Sequence, residues 1–285
     1  MAPTVTAFDG AAAVLDVAAP FLAGDPVRHN LILTLLERRR EEPEEGRYWV
    51  VSDGASVLAV AFQSPVSFPV LLTPMAPEVA AELADRIARG DVDLPSASGE
   101  AATVAAFAGQ WSESRRVAAR PGDALRLYEA GPPIPPASVA GAQRVASPSE
   151  RDLLVEWLRS MLAVVPAPGP DPQRSVDRFM AAGRLWVWDD GGPVSLCAES
   201  AAVAGTVRVQ AVFTPPERRG RGYASAGVAA LTGRVLARGQ RCALYADLAN
   251  PVSNGIYRRL GYRAVAEILR YDFSPVGSAS AVQTA

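Results

Sequence analysis

Residues Thr214 to Ala224 read Thr-Pro-Pro-Glu-Arg-Arg-Gly-Arg-Gly-Tyr-Ala. They close an apolar run, Thr206 to Thr214, and open a segment with Val228, Leu231, Val235 and Leu236 at helical spacing that stops at Gly239. The pattern predicts a strand, a glycine-rich turn and a helix. Such a turn leaves backbone N–H groups without partners where the helix dipole adds partial positive charge, so it suits a phosphate or pyrophosphate. Gly220 and Gly222 let the backbone approach the anion, and Arg219 and Arg221 add charge. Neither Gly-x-Gly-x-x-Gly nor the lysine-bearing P-loop pattern can be written over these residues, and all 28 basic residues of the chain are arginine.

The 285 residues are comfortable for two domains, each with its own core. A formal charge of -2 with no long basic run argues against nucleic acid as a partner. No basic leader precedes residue 22 and no apolar run reaches the length of a membrane span, which predicts a cytoplasmic protein without membrane contact. Cys197 and Cys242 lack metal-ligand spacing and read as buried reduced thiols, and no metal is expected. The single histidine, His29, excludes a histidine cluster and reads as helix-entry chemistry.

In the first half, Ala11 to Ala19 and Asn30 to Glu37 have helical spacing, and the charge run after Glu37 reads as a solvated helix end. Tyr48 to Ser52 and Val57 to Gln63 form a predicted hairpin about Asp53-Gly54, with Val66 to Leu72 as a third strand. Pro77 to Gly90 reads as a helix, Pro95 to Gly99 as a loop, Glu100 to Gln110 as a helix and Leu125 to Ala130 as a closing strand. No phosphate-binding turn is present here: the third strand runs into Leu72-Thr73-Pro74-Met75-Ala76-Pro77.

The proline-rich residues 132–138 read as a stiff linker between domains 1–131 and 139–273, with 274–285 a flexible tail. Ser147-Pro148-Ser149-Glu150 carries a capping-box pattern before a helix whose Leu154, Trp157, Leu158, Met161 and Leu162 share a core face. The Pro166 to Pro172 loop and a Ser175 to Ala182 helix follow. Leu185 to Trp188 and Val194 to Ala201 make a hairpin, Cys242 to Leu248 a strand, Asn250 to Gly261 a short helix, and Arg263 to Phe273 a final strand.

Arg219, Gly222 and Ala224 fit Arg-x-x-Gly-x-Ala, while Asn250, Ser253, Asn254, Tyr257, Gly261 and Tyr262 fit Asn-x-x-Ser-Asn-x-x-Tyr-x-x-x-Gly-Tyr. In this order and separation the two motifs resemble the GNAT N-acetyltransferase superfamily over Gly141 to Phe273. The first half echoes the same element order, so the chain resembles the mycothiol synthase-like tandem acetyltransferases, with a degenerate N-terminal half. An unrelated α/β accessory domain is the competing reading of that half. The resemblance implies an α/β fold of two GNAT-like domains, each a mixed, mostly antiparallel twisted sheet flanked by helices.

It also implies an acetyl-CoA-dependent N-acetyltransferase that moves the acetyl group to a primary amine, of a small molecule or a peptide, by direct attack. Backbone groups of Val212, Phe213 and Thr214 would meet the pantetheine arm, and amides of Arg219, Gly220, Arg221, Gly222, Tyr223 and Ala224 the pyrophosphate. Asn250, Ser253 and Asn254 would contact the coenzyme from the opposite wall, or simply cap their helix. Tyr257 stands where the superfamily commonly places the proton donor to the departing thiolate. The strand before the loop lacks the glutamate that many relatives use as base, leaving Glu199, on the preceding strand, as the nearest acidic candidate or a solvated residue. A non-catalytic acyl-CoA-binding module and a longer acyl donor remain as alternatives, and the chain could act as a monomer or a homodimer.

Overall fold

The computed structural model describes residues 3–163 and 170–276. In chain order the first half runs β1 (Thr4–Phe8), α1 (Ala11–Gly24), α2 (Asn30–Glu41), β2 (Arg47–Asp53), β3 (Ser56–Gln63), β4 (Val70–Leu72), α3 (Pro77–Ala88), β5 (Ser96–Glu100), α4 (Ala101–Arg115) and β6 (Val117–Ala130). The second half repeats the order: β7 (Ala142–Val145), α5 (Arg151–Leu162), α6 (Pro172–Ala181), β8 (Leu185–Asp189), β9 (Pro193–Glu199), β10 (Thr206–Phe213), α7 (Tyr223–Ala237), β11 (Arg241–Asp247), α8 (Pro251–Arg259) and β12 (Tyr262–Pro275).

The chain divides into two compact units, Arg126–Val265 and a second formed by the residues before Arg126 with those from Ala266 on. The division falls inside β6, and not in the proline-rich residues 132–138 whose composition predicts a linker. β6 and β12 each begin in one unit and end in the other, and at about 3.3 Å per residue a strand of this length can serve both. The proline-rich stretch is part of the second unit: Gly131 N–H donates to Gly261 O at 3.0 Å and Ile134 N–H to Leu260 O at 3.1 Å. Backbone pairing sets the boundary here, against the composition.

In the first unit β1 to β3 pair antiparallel, β4 and β5 pair parallel, and β5 pairs antiparallel with the end of β12. Alternation along β2 and β3 sends Trp49, Val51, Ala59 and Ala61 to one face, where they meet Leu83, Ile87, Phe107 and Trp111 from α3 and α4. β5 occupies the expected loop. Its sequence, Ser-Ala-Ser-Gly-Glu, lacks strand-forming residues, but a Cβ at Gly99 would come 3.1 Å from Leu72 Cβ, so close packing against β4 requires small side chains. Of the predicted third strand only Val70–Leu72 pairs as one; the preceding residues form a turn in which Gln63 Nε2 donates to Val66 O and Phe68 O, both at 2.8 Å.

In the second unit the antiparallel strands β7 to β10 lead into a parallel pair, β10 and β11. One face is covered by α5 and α6, through Leu154, Trp157, Leu158 and Phe179 against Leu185, Val187 and Leu196. The other carries α7 and α8. Met161 and Leu162 pack half-buried against the α5 cluster. Glu150 accepts the Ser147 N–H at 2.7 Å and is gripped by Arg144, whose hydrogen bonds hold its carboxyl below the usual carboxylate range. Cys197 and Cys242 are free and buried. Of the Pro166 to Pro172 loop, residues 166–169 lie outside the described residues, as does the tail from 277.

Candidate active site

Three local features meet at the end of β10. Between Gln210 and Phe213 the strand advances three residues while β9 advances two, a bulge in which Ala211 takes φ 52°. A non-glycine residue held in this region costs about 1 kcal/mol or more, so the bend is imposed by its surroundings. The ladder with β11 runs from Thr206/Arg241 to Val209/Leu244, whereas the strands continue to Phe213 and Asp247. The two strands thus separate where β10 feeds the loop.

The loop itself is a 3₁₀ turn, Pro216–Arg218, followed by Gly220 and Gly222 at φ 77° and 82° and then by α7. Gly222 is the N-cap, and no side chain caps the helix. The N–H groups of Tyr223, Ala224 and Ser225 occupy the first turn, where an α-helix has no internal acceptors for them. A Cβ on Gly222 would sit 3.0 Å from Val139 Cγ2 in the left-handed region, so glycine is required twice over. Arg219 folds back to fix the loop, donating from Nε to Thr214 O at 3.0 Å and lying over the Phe213 ring at 5.9 Å. Arg221 is exposed.

At Val212–Thr214 two carbonyls are already engaged. Ser195 Oγ donates to Phe213 O at 2.9 Å and also lies 2.9 Å from Thr214 Oγ1, and Thr214 O accepts from Arg219. Tyr223 is buried, its hydroxyl donating to Asp190 Oδ2 at 2.6 Å, which ties the helix start to the β8–β9 turn. Nothing in the local sequence pairs Asp190 or Val139 with this loop.

On the other wall, Asn250 caps α8 by accepting the Ser253 N–H at 3.0 Å, leaving its amide nitrogen for other work. Asn254 is fully committed: its Oδ1 accepts from Tyr128 at 2.8 Å and its Nδ2 donates to Asp247 O and Asn250 O, both at 2.7 Å. One apolar cluster joins Val209 and Val212 of β10, Val228 of α7 and Tyr257 of α8. The half-buried Tyr257 ring lies between Tyr128 and Tyr262, centroids 6.1 and 5.9 Å away, and its hydroxyl has no hydrogen-bond partner among the described residues. Burial, with a smaller contribution from Cys197, pushes the Tyr257 hydroxyl up to about 12.

Glu199 is the ladder partner of Val209, but its side chain is engaged elsewhere. Its buried carboxylate is 2.6 Å from Arg238 Nη2, just past the C-terminal end of α7. Fifteen residues of helix separate Arg238 from Tyr223, about 22 Å at 1.5 Å per residue.

Comparison with known proteins places this architecture. Residues 189–271 match the family described as FR47-like protein. Solved structures match almost the whole chain. An acetyltransferase of the GNAT family from Colwellia psychrerythraea aligns at TM-score 0.61 and 11% identity over 95% of this chain and 100% of its own. A GCN5-related N-acetyltransferase from Sphaerobacter thermophilus aligns at 0.56 and 17%, covering 94% of each. A tandem GNAT protein from the clavulanic acid biosynthesis pathway aligns at 0.55 and 13%, over 96% and 98%. The chain is a tandem GNAT fold. At these identities the likeness is one of fold, and no curated protein sequence matches the chain significantly.

The turn between β4 and α3, which holds the corresponding place in the first half, makes no comparable anion cradle. Between β4 and α3, Pro74 and Pro77 have no N–H, Thr73 N–H donates to Val60 O at 2.9 Å, and Met75 N–H donates to Thr103 Oγ1 at 3.1 Å. Val79 and Ala80 both turn their N–H groups to Ala76 O at 3.0 Å. Most donors of this turn are therefore spent or missing. Among the described residues no group of three or more His, Cys, Asp or Glu could hold a metal ion, and no helix is long and apolar enough to cross a membrane.

Proposed function

We propose that the chain is an acetyl-CoA-dependent N-acetyltransferase with one active centre, in its C-terminal unit. The observation that carries this reading is the uncapped N-terminus of α7 behind Gly220 and Gly222, at the point where the bulged β10 leaves β11. The first-turn amides of α7 would hold the pyrophosphate, helped by the helix dipole and Arg221. The gap between β10 and β11 would take the pantetheine arm, with Val212 as the residue of 212–214 whose backbone is least committed.

The coenzyme supplies the acetyl group as a thioester. The acceptor nitrogen forms its bond to the acyl carbon as the carbon–sulfur bond breaks, and the sulfur takes a proton from Tyr257. Burial keeps that hydroxyl protonated at neutral pH, and among the described residues no hydrogen bond competes with its transfer. Glu199, held by Arg238, is not assigned the base. The amine, of a small molecule or a peptide, would lose its proton to water.

Calorimetric titration with acetyl-CoA tests the reading. The wild type should bind at one site per chain, and Gly222→Glu, which puts a carboxylate in the anion cradle, should abolish binding. Turnover with a panel of primary amines should then follow. Absence of wild-type binding would sink the proposal and favour a module that acts through protein partners.

A further inference from the structure

Three tyrosines meet in the apolar cluster that α7 packs against: Tyr128 of β6, Tyr257 of α8, and Tyr262, the first residue of β12. The Tyr262 ring stands edge-on to Tyr257, with centroids 5.9 Å apart and planes at 62°. The Tyr128 ring lies on another side of it, tilted at 52° with centroids 6.1 Å apart. Both are arrangements that the ring quadrupoles favour.

The three hydroxyl protons have different fates. Thr232 Oγ1 donates its single O–H to Val228 O at 2.7 Å, so across the 2.6 Å contact between Thr232 and Tyr262 the tyrosine is the donor. The Cys242 thiol, 3.5 Å from the Tyr262 oxygen, is left to donate to it. Tyr128 gives its proton to Asn254 Oδ1 at 2.8 Å. Among the described residues, Tyr257 has no such partner. Two of the three hydroxyls are therefore engaged with acceptors, and what their rings offer is position.

The local structure needs that help. α8 is nine residues long, and a helix of this length does not hold itself in water. It ends at Gly261, whose φ is 94° and where a Cβ would come 2.6 Å from Pro132 O, so glycine makes the turn that brings Tyr262 back against Tyr257. Contact alone then places the Tyr257 side chain. Both rings that make the contact are tethered, Tyr262 to α7 through Thr232 and Tyr128 to α8 through Asn254. A displacement of about 1 Å at a reacting group can cost about 100-fold in rate, so the tethers bear on the chemistry.

We propose that Tyr128 and Tyr262 are positioning residues for the transfer step, a pair of rings that holds the Tyr257 hydroxyl at the departing sulfur. The proposal rests on the reading of Tyr257 as proton donor. No proton passes through either ring: the Tyr257 O–H bond breaks and an S–H bond forms as the carbon–sulfur bond is lost.

Steady-state kinetics with acetyl-CoA and a panel of primary amines test the pair. Tyr262 is the better handle, since loss of Tyr128 would also release Asn254. Tyr262→Leu should lower kcat by about tenfold, and Thr232→Val, which keeps both rings and removes the acceptor, by about threefold. The KM for acetyl-CoA should stay within about twofold of wild type in both. In a Tyr257→Phe background Tyr262→Leu should cost nothing further, because a residue that acts through the Tyr257 hydroxyl has nothing left to position. A loss as large in that background as in the wild type would make Tyr262 a general packing residue and overturn the proposal. Wild-type kcat in a folded Tyr262→Leu protein would overturn it too, and if that variant does not fold, wild-type kcat in Thr232→Val does so. Each of these results leaves the donor reading intact. If the wild type turns over no acetyl-CoA, or Tyr257→Phe alone keeps its kcat, the donor reading fails and the positioning pair with it.

Discussion

The Tyr128 hydroxyl donates to Asn254 Oδ1 at 2.8 Å, joining two residues 126 positions apart in sequence, and both are buried. The bond completes a set in which Asn254 also donates to Asp247 O and Asn250 O, so the side chain latches α8 to the end of β11. Asn254→Leu would leave Tyr128 without its acceptor, a loss of about 1–3 kcal/mol of stability. Calorimetric melting should show a drop of several degrees, while coenzyme affinity of the folded protein changes by less than about threefold. A large affinity loss at wild-type stability would instead put Asn254 on the coenzyme.

The two loop glycines should not be equivalent. Both have left-handed backbone, which costs an alanine about 1–2 kcal/mol, but a Cβ at Gly220 meets open space whereas one at Gly222 presses on Val139. Gly220→Ala should weaken acetyl-CoA binding by roughly tenfold and Gly222→Ala by more. Titration of both variants checks the order.

Tyr257→Phe removes a hydroxyl without hydrogen-bond partners among the described residues, so stability should hardly change. The rate constant kcat should fall by about 100-fold or more, with coenzyme binding preserved. Because burial pushes this hydroxyl up to about 12, the donor stays protonated as pH rises from neutrality. The wild-type rate should climb as the acceptor amine deprotonates and show no decline up to about pH 10. An alkaline fall near pH 8 that disappears in Tyr257→Phe would contradict the assignment.

Glu199 and Arg238 should behave as a structural pair. Glu199→Gln should keep kcat within about threefold of wild type, far from the 100-fold or greater loss typical of a general base. Arg238→Ala leaves the buried carboxylate without its 2.6 Å partner and should cost about 1–3 kcal/mol in denaturant unfolding. A rate collapse in Glu199→Gln would restore it as the base.

Where the fold was legible, residue pattern and local geometry agreed. Asp53-Gly54 between two β-rich runs became the β2–β3 turn, with Gly54 at φ 60°. The Leu154, Trp157, Leu158 stripe became the buried face of α5. The missed elements are those without a strong pattern of their own. β1 and β7 are short, and β5 is built of small residues because β4 lies so close. The first eight residues of β6, Val117 to Ala124, contain Arg120-Pro121-Gly122, which reads as a turn and yet pairs as strand.

The sequence by itself determined the loop and the order of elements around it. A left-handed glycine turn, an Asx cap and an apolar helix stripe are short-range consequences of residue type, complete within a dozen neighbours. Only the tertiary structure decided which polar side chains remain available. It gave Asn254 to Tyr128, Tyr223 to Asp190 and Glu199 to Arg238, and among the described residues gave the Tyr257 hydroxyl no partner. It also turned residues 132–138 from an expected linker into a wall beside α7. Hydrogen bonds and close contacts between residues distant in sequence make those choices, and no local pattern encodes them.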